Sequence, residues 1–214
     1  MRRPLRILTS VALAAACSIA SLRVSLAQDV GRDLSVPPPA PVTLNAATTA
    51  VLAVDFLQST CTPNPACVSA LPAASSALEA ARSANAHVLY SVHLAPDNAI
   101  VSAVTPASTD PIFAAIPGDK FFASNLDYLL RQANATTLVL MGVTSNSGIM
   151  YTAAAAVQRG YTVVVAEDAI AAANDLSTSV ALWQLLHGPG ANPQNTPLMP
   201  RAITLTRTDL ISYQ

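Results

Sequence analysis

Residues 138–161 read Leu138-Val-Leu-Met-Gly142-Val-Thr-Ser-Asn-Ser-Gly148-Ile-Met-Tyr-Thr152-Ala-Ala-Ala-Ala-Val-Gln-Arg-Gly160-Tyr161. Leu138 to Met141 carry no polar side chain, as expected of a strand covered on both faces. Gly142 breaks the run, and Thr144-Ser-Asn-Ser147 follows as a small polar turn. From Gly148 the alanines propagate a helix, and Gly160 supplies its stop. A strand that feeds a helix through a tight polar turn leaves backbone N–H groups and the helix's positive end at the carboxyl edge of a sheet. Open parallel sheets place their ligands there.

The same alternation extends in both directions. Strands are expected at Ala50–Val54, His87–Val92, Thr137–Met141, Thr162–Ala166 and Ala202–Thr206. Helices are expected over about Val68–Asn85, Ala123–Ala133, from Gly148, and over Leu176–His187. The proline-rich segment 95–119 reads as loop, with a short strand suggested near Ile100–Val104. Continuous Val/Leu runs alternating with helices indicate a parallel sheet covered on both faces. The expected architecture is a three-layer α/β/α sandwich with a mostly parallel, Rossmann-like sheet, one domain spanning 48–214.

The 214 residues suit a single domain, and 52% hydrophobic content against 5% aromatic points to a core of small side chains. Eleven basic and twelve acidic residues nearly cancel. No Lys/Arg-rich run occurs, so nucleic acid is not an expected partner. Arg2, Arg3 and Arg6 precede an apolar stretch from Ile7 to about Ala20, and Ser25-Leu26-Ala27 offers a small-x-small cleavage site. Residues 1–27 therefore read as a signal peptide, with a secreted or periplasmic product and no membrane association once it is removed. Lipidation at Cys17 is the weaker reading of the same segment. Residues 28–47, with Pro37-Pro-Pro-Ala-Pro41, read as an extended lead-in. Cys61 and Cys67 flank Thr-Pro-Asn-Pro-Ala. An oxidising compartment would allow a disulfide between them, and two unpaired thiols are the alternative.

The run Gly142-Val-Thr-Ser-Asn-Ser-Gly-Ile-Met-Tyr-Thr-Ala153, followed by Arg159-Gly-Tyr-Thr-Val-Val-Val-Ala-Glu-Asp168-Ala169, resembles the signature of the isochorismatase-like hydrolase superfamily. That pattern is Gly-Val-x-Thr-x-x-Cys-Val-x-x-Thr-Ala, then Arg-Gly-Tyr and a strand ending in Asp-Ala. In register, Gly148 stands where the family carries its nucleophilic cysteine. The resemblance covers roughly residues 48–210. It implies an isochorismatase-like hydrolase domain on the same α/β/α sandwich and a cis peptide bond at Val143–Thr144.

Asp55 follows the apolar run Val-Leu-Ala-Val and matches the family's strand-end aspartate, the catalytic acid/base. The usual glutamine two residues on is absent, with Gln58 standing three on. Lys120 precedes Phe121, Ser124 and Leu126, which fit the family's lysine region except that the lysine is directly beside the phenylalanine. Through the resemblance, Lys120 is expected to hold the Asp55 carboxylate or to balance charge on substrate. A cysteine at position 148 would attack amides through a thioester. With glycine there, the resemblance points instead to the family's true isochorismatases, which protonate a vinyl ether from the aspartate. Asp55 could act in this way if burial keeps a proton on it.

The expected catalytic set is therefore Asp55, Lys120 and Gly148. Val143, Thr144, Ser147 and His93 are expected to bind substrate, the turn amides serving as an anion site. No metal site is expected, because His87 and His187 are the only other histidines, and no cofactor is implied. Trp183 is expected to pack into the core from its helix. The function implied is hydrolysis of a small substrate bearing a carboxylate or an enol ether. The rival is a binding protein that kept the pocket and lost the chemistry. A homo-oligomer is compatible with the sequence.

Overall fold

The apolar runs Thr49–Val54 and Leu138–Val143 are buried along their whole lengths. Side chains on a strand alternate between faces, so such runs need cover on both sides. The structure, a computed structural model describing residues 34–95 and 98–214, supplies both covers. The expected signal peptide and Cys17 lie outside the described residues.

The strands are β1 (Val42–Leu44), β2 (Thr49–Val54), β3 (His87–His93), β4 (Ile112–Ala115), β5 (Thr137–Val143), β6 (Thr162–Ala171), β7 (Ile203–Thr206) and β8 (Ile211–Tyr213). The helices are α1 (Gln58–Cys61), α2 (Pro65–Ser83), α3 (Leu126–Gln132), α4 (Met150–Gln158) and α5 (Asp175–His187). Six strands form one parallel sheet in the order β4-β3-β2-β5-β6-β7. Val51, Ala53, Val139, Met141 and Val164 face Ala74, Leu78 and Ala81 of α2, with Val42 and Leu44 of β1 beside them. Their alternates Ala50, Leu52, Leu138, Leu140 and Val163 face Leu126, Ala153, Ala156 and Leu185 on the helices of the other side. The result is the three-layer sandwich.

The sheet begins at its centre with β2 and runs outward through β3 to β4. It then returns to lay β5 against the other edge of β2 and runs outward again. Such a reversal leaves a crevice at the carboxyl ends of the two central strands. Here that crevice lies where Val54 pairs with Gly142. Gly142 has φ +132°, and a Cβ there would sit 2.0 Å from the Val54 carbonyl oxygen, so only glycine lets the two strands end this closely.

Three expectations change. Near Ile100–Val104 there is a single bridge from Ile100 to Leu57 and a 3₁₀ turn at Ser102–Val104, while the outer strand is Ile112–Ala115. Flanking Pro111 and Pro117 obscured it, yet an edge strand tolerates proline beside it. The lead-in is in part structural: β1 pairs in parallel with β8, and Val42 and Leu44 join the core. A three-residue strand whose partner lies at the far end of the chain carries no local signal. Trp183 is half-buried and stacks on His187 at 4.3 Å, because Ala181, Leu185 and Leu186 occupy the core face of α5. Among the described residues no helix is long and apolar enough to cross a membrane.

Candidate active site

At the end of β2 the backbone of Asp55 turns left-handed, with φ +48°. A residue with a Cβ meets a steric penalty of about 1–2 kcal/mol in that conformation. Local bonds hold it there. The Asp55 N–H donates to the Ser91 carbonyl at 3.3 Å, and the Asp55 carbonyl accepts from Leu57 N–H at 2.7 Å and from the Thr60 hydroxyl at 2.9 Å. The turn leaves the side chain buried in the crevice, with the residue 3% exposed.

Three side chains converge on this carboxylate. Ser91 and His93, two apart and so on one face of β3, reach it together. Ser91 Oγ donates to Oδ1 at 2.7 Å, and His93 Nε2 lies 3.0 Å from Oδ2. Lys120 Nζ donates to Oδ2 at 2.5 Å and to the Ile116 carbonyl at 3.0 Å. Lys120 is fully buried, so it faces the carboxylate from behind rather than the cavity. A buried ammonium is tolerated only with such partners.

The lysine loop is anchored by residues of the 138–161 segment. Lys120 N–H donates to Thr152 Oγ1 at 3.0 Å. Phe121 stacks on Tyr161 at 6.1 Å, and the Arg159 guanidinium lies 4.4 Å above the Phe121 ring. The loop thus brings Lys120 to Asp55 although the lysine stands directly beside Phe121. Asp168 also anchors backbone, accepting from Thr208 N–H at 2.9 Å and Thr208 Oγ at 2.7 Å in the chain after β7.

β5 passes into α4 through a π turn at Ser145–Ile149, a feature that recurs at functional sites. The Val143–Thr144 peptide bond is cis. Gly148 is buried, and a Cβ there would lie 3.2 Å from both the Val143 carbonyl oxygen and Val54 Cγ1, and 3.7 Å from Lys120 Cε. Position 148 therefore faces the lysine and the end of β2, but the niche is nearly closed around the glycine. Ser145 is buried and donates to Thr178 Oγ1 at 3.4 Å, toward α5. The Ser147 and Ile149 N–H groups both donate to the Thr144 carbonyl, which removes the Ser147 amide from the expected anion site.

Asp55, Thr60, His93, Pro117, Gly118, Val143, Thr144, Ser147 and Gly148 line a cavity of about 90 Å³. Typical ligand pockets hold roughly 300–1,000 Å³, so this cavity is small beside them. Among the described residues no group of three His, Cys, Asp or Glu side chains could hold a metal ion. His87 opens β3 at the opposite end of the strand from His93, and His187 lies exposed at the end of α5.

The sequence pattern does not assign Thr60 to the cavity, and it shows Ser91 only as the residue two before His93, with no role toward Asp55. For Ser91 the signal existed: a buried-strand serine next to Tyr90 and two residues before His93. Gln58 is exposed. Thr60 adjoins Cys61, which is disulfide-bonded to Cys67 across a Cα–Cα distance of 5.2 Å, tying α1 to the start of α2.

Known proteins share this frame. The isochorismatase domain matches residues 49–196. A secreted isochorismatase effector of Verticillium dahliae is 31% identical over 110 residues, 46% of this chain, and the match spans 58% of that protein's length. A cysteine hydrolase of Pseudomonas syringae pv. phaseolicola superposes with a TM-score of 0.68 at 22% identity, covering 82% of this chain and 94% of its own. N-carbamoylsarcosine amidase of Thermoplasma acidophilum superposes with a TM-score of 0.64 at 21% identity, covering 76% and 97%. Because the matched span runs from the first central strand through the crevice and past α5, the chain belongs to the isochorismatase family.

Proposed function

We propose that the protein is an exported hydrolase that cleaves a small enol-ether or carboxylate-bearing substrate by acid/base catalysis from Asp55, without a cysteine nucleophile. The observation that carries this reading is the convergence of Lys120, His93 and Ser91 on one buried carboxylate at a cavity whose wall includes Gly148. Family members act as hydrolases, and in the signature Gly148 occupies the place of their cysteine. Among the described residues no thiol is free to act at the cavity, since Cys61 and Cys67 are bonded to each other. Ser147 borders the cavity, but among the described residues no basic side chain bonds its hydroxyl, so it lacks the partner that an activated serine needs.

In this reading Asp55 delivers a proton to the substrate as its bond to oxygen weakens. Lys120, held against Oδ2, balances the carboxylate that results. Ser91 holds Oδ1 and fixes the orientation of the group. Val143, Thr144, Ser147 and His93 surround the reacting end. The secreted relative supports export, and cleavage after Ala27 rests on the sequence of segment 1–27 alone.

Turnover of isochorismate, a vinyl ether, by the purified mature chain tests the reading, with simple amides as the contrast. The expected result is hydrolysis of the vinyl ether and none of the amides. Thermal stabilisation by these compounds without turnover would establish the binding-protein alternative. Gly148→Cys separates the two chemistries further. Its Cβ would press on the Val143 carbonyl and Val54, so the variant is expected to lose stability by about 1–3 kcal/mol and to gain no amidase activity. A fast-reacting, amide-cleaving cysteine there would show that the site is a cysteine-hydrolase site lacking only its thiol.

A further inference from the structure

Building on that reading, we propose that His93 is the proton relay of this site, carrying to Asp55 the proton released by the attacking water. Acid-catalysed hydrolysis of an enol ether consumes no net proton, yet it draws one from Asp55 and releases one from water. The Asp55 O–H bond breaks as its proton joins the terminal carbon of the substrate. A water oxygen then bonds to the cationic carbon and sheds a proton, and as the ether C–O bond of the resulting hemiketal breaks, its hydroxyl proton passes to the departing oxygen, which leaves a ketone and an alcohol. The next turnover requires the proton shed by water to reach Asp55.

The structure offers one side chain for that transfer among the three that bind the carboxylate. Ser91 holds Oδ1 and is 1% exposed. Lys120 is 0% exposed, with Nζ donating to Asp55 and to the Ile116 carbonyl. Only the His93 side chain, 24% exposed, both contacts Oδ2 and forms part of the cavity wall. An ionised carboxylate can only accept, so Nε2 carries the hydrogen in the 3.0 Å contact and Nδ1 is left as a base. As Nδ1 takes the proton from water, the Nε2 proton passes to Oδ2, and exchange with solvent restores the first tautomer. The ionisable groups bonded into this cluster are Asp55 from β2, His93 from β3 and Lys120 from the loop after β4. The remaining wall residues, Thr60, Pro117, Gly118, Val143, Thr144, Ser147 and Gly148, do not titrate in the ordinary range.

The test uses the mature chain with isochorismate as the probe, comparing wild type, His93→Gln and His93→Ala. Glutamine keeps an N–H donor for Oδ2 but cannot carry a proton. For both variants kcat is expected to fall at least tenfold with KM within about twofold, in line with the size of general acid–base contributions. Added imidazole should restore kcat to His93→Ala and leave His93→Gln unchanged, and the pH profile of kcat should lose one limb in both. If His93→Gln matches the wild type within twofold, or if imidazole fails to rescue His93→Ala, the relay is overturned while the Asp55 chemistry stands. If wild-type protein turns over no vinyl ether, the functional reading fails and the relay falls with it, a result read before any variant is made.

Discussion

Asp55 and Asp110 each hold a cation with a hydroxyl close by, one at the carboxyl edge of the sheet and the other at its amino edge. Asp110 precedes β4. Its Oδ2 accepts from Arg82 Nε at 3.0 Å, Arg82 Nη2 at 2.7 Å and Ala107 N–H at 2.8 Å, while Arg82 Nη2 also donates to Tyr90 Oη at 2.8 Å. Burial pushes the Tyr90 phenol up from 10.0, against the pull of Arg82, so it stays neutral. A guanidinium does not release its proton and binds in a fixed fork. This cluster therefore locks a loop to α2. Asp55 is instead held by an amine, an imidazole and a hydroxyl, one of which meets the cavity. The larger hollow, about 450 Å³, lies beside the Asp110 lock and the smaller beside Asp55. Between these two hollows volume does not single out the Asp55 cluster, whereas the exchangeability of the protons around each carboxylate separates the two.

The largest expected effect is at Asp55. Asp55→Asn should lower turnover of a vinyl ether by roughly 10²–10⁴-fold, since an amide cannot supply the proton. It should also destabilise the fold by about 3–5 kcal/mol, because buried Lys120 loses its counterion. Steady-state kinetics and denaturant unfolding check both. Asp110→Asn should cost about 1–3 kcal/mol of stability and leave turnover within about twofold. Equal loss of turnover in the two variants would erase the distinction between the Asp55 and Asp110 clusters.

Next in size is the disulfide. The bonded cysteines are 6 residues apart, and closing so short a loop stabilises by about 2 kcal/mol on the chain-entropy argument. Cys61→Ser/Cys67→Ser should lose about that much in denaturant unfolding. On the proposed mechanism, the oxidised mature protein should keep its turnover in iodoacetamide, since Cys61 and Cys67 are bonded to each other.

The smallest effect belongs to Glu167, an acid with neither cluster's support. Burial raises its pKa above 4.5, only partly offset by Arg207 and reinforced by Asp168. A carboxyl whose folded pKa is raised contributes stability below 4.5 that is lost as pH rises through the folded value. Glu167→Gln should therefore raise Tm slightly at neutral pH, with the gain vanishing below about pH 4. A gain that persists at low pH would place its cause in packing rather than charge.

The layered fold was legible because its signals are local. The apolar runs at Thr49–Val54 and Thr137–Val143 need two covers, the alanine-rich helices provide them, and Gly142 and Gly160 mark where elements stop or close approach begins. The positions of Asp55 and of the 142–148 turn at strand ends also followed from pattern. What stayed hidden depends on contacts between distant parts of the chain: β1 against β8, the edge strand β4 among prolines, and the outward stacking of Trp183.

The sequence by itself determined that a carboxylate and a polar turn sit at strand ends, and that position 148 bears no nucleophile. Tertiary structure decided the rest. It laid β5 against β2, bringing that carboxylate and that turn to one crevice. It carried Lys120 to Asp55 through a loop held by Thr152 and Tyr161, and it set Ser91 and His93 on a single carboxylate. Strand periodicity and glycine geometry act over a few residues and can be read along the chain. A buried ion pair depends on which loops the packed core can hold in place, and that is settled only when both faces of the sheet are covered.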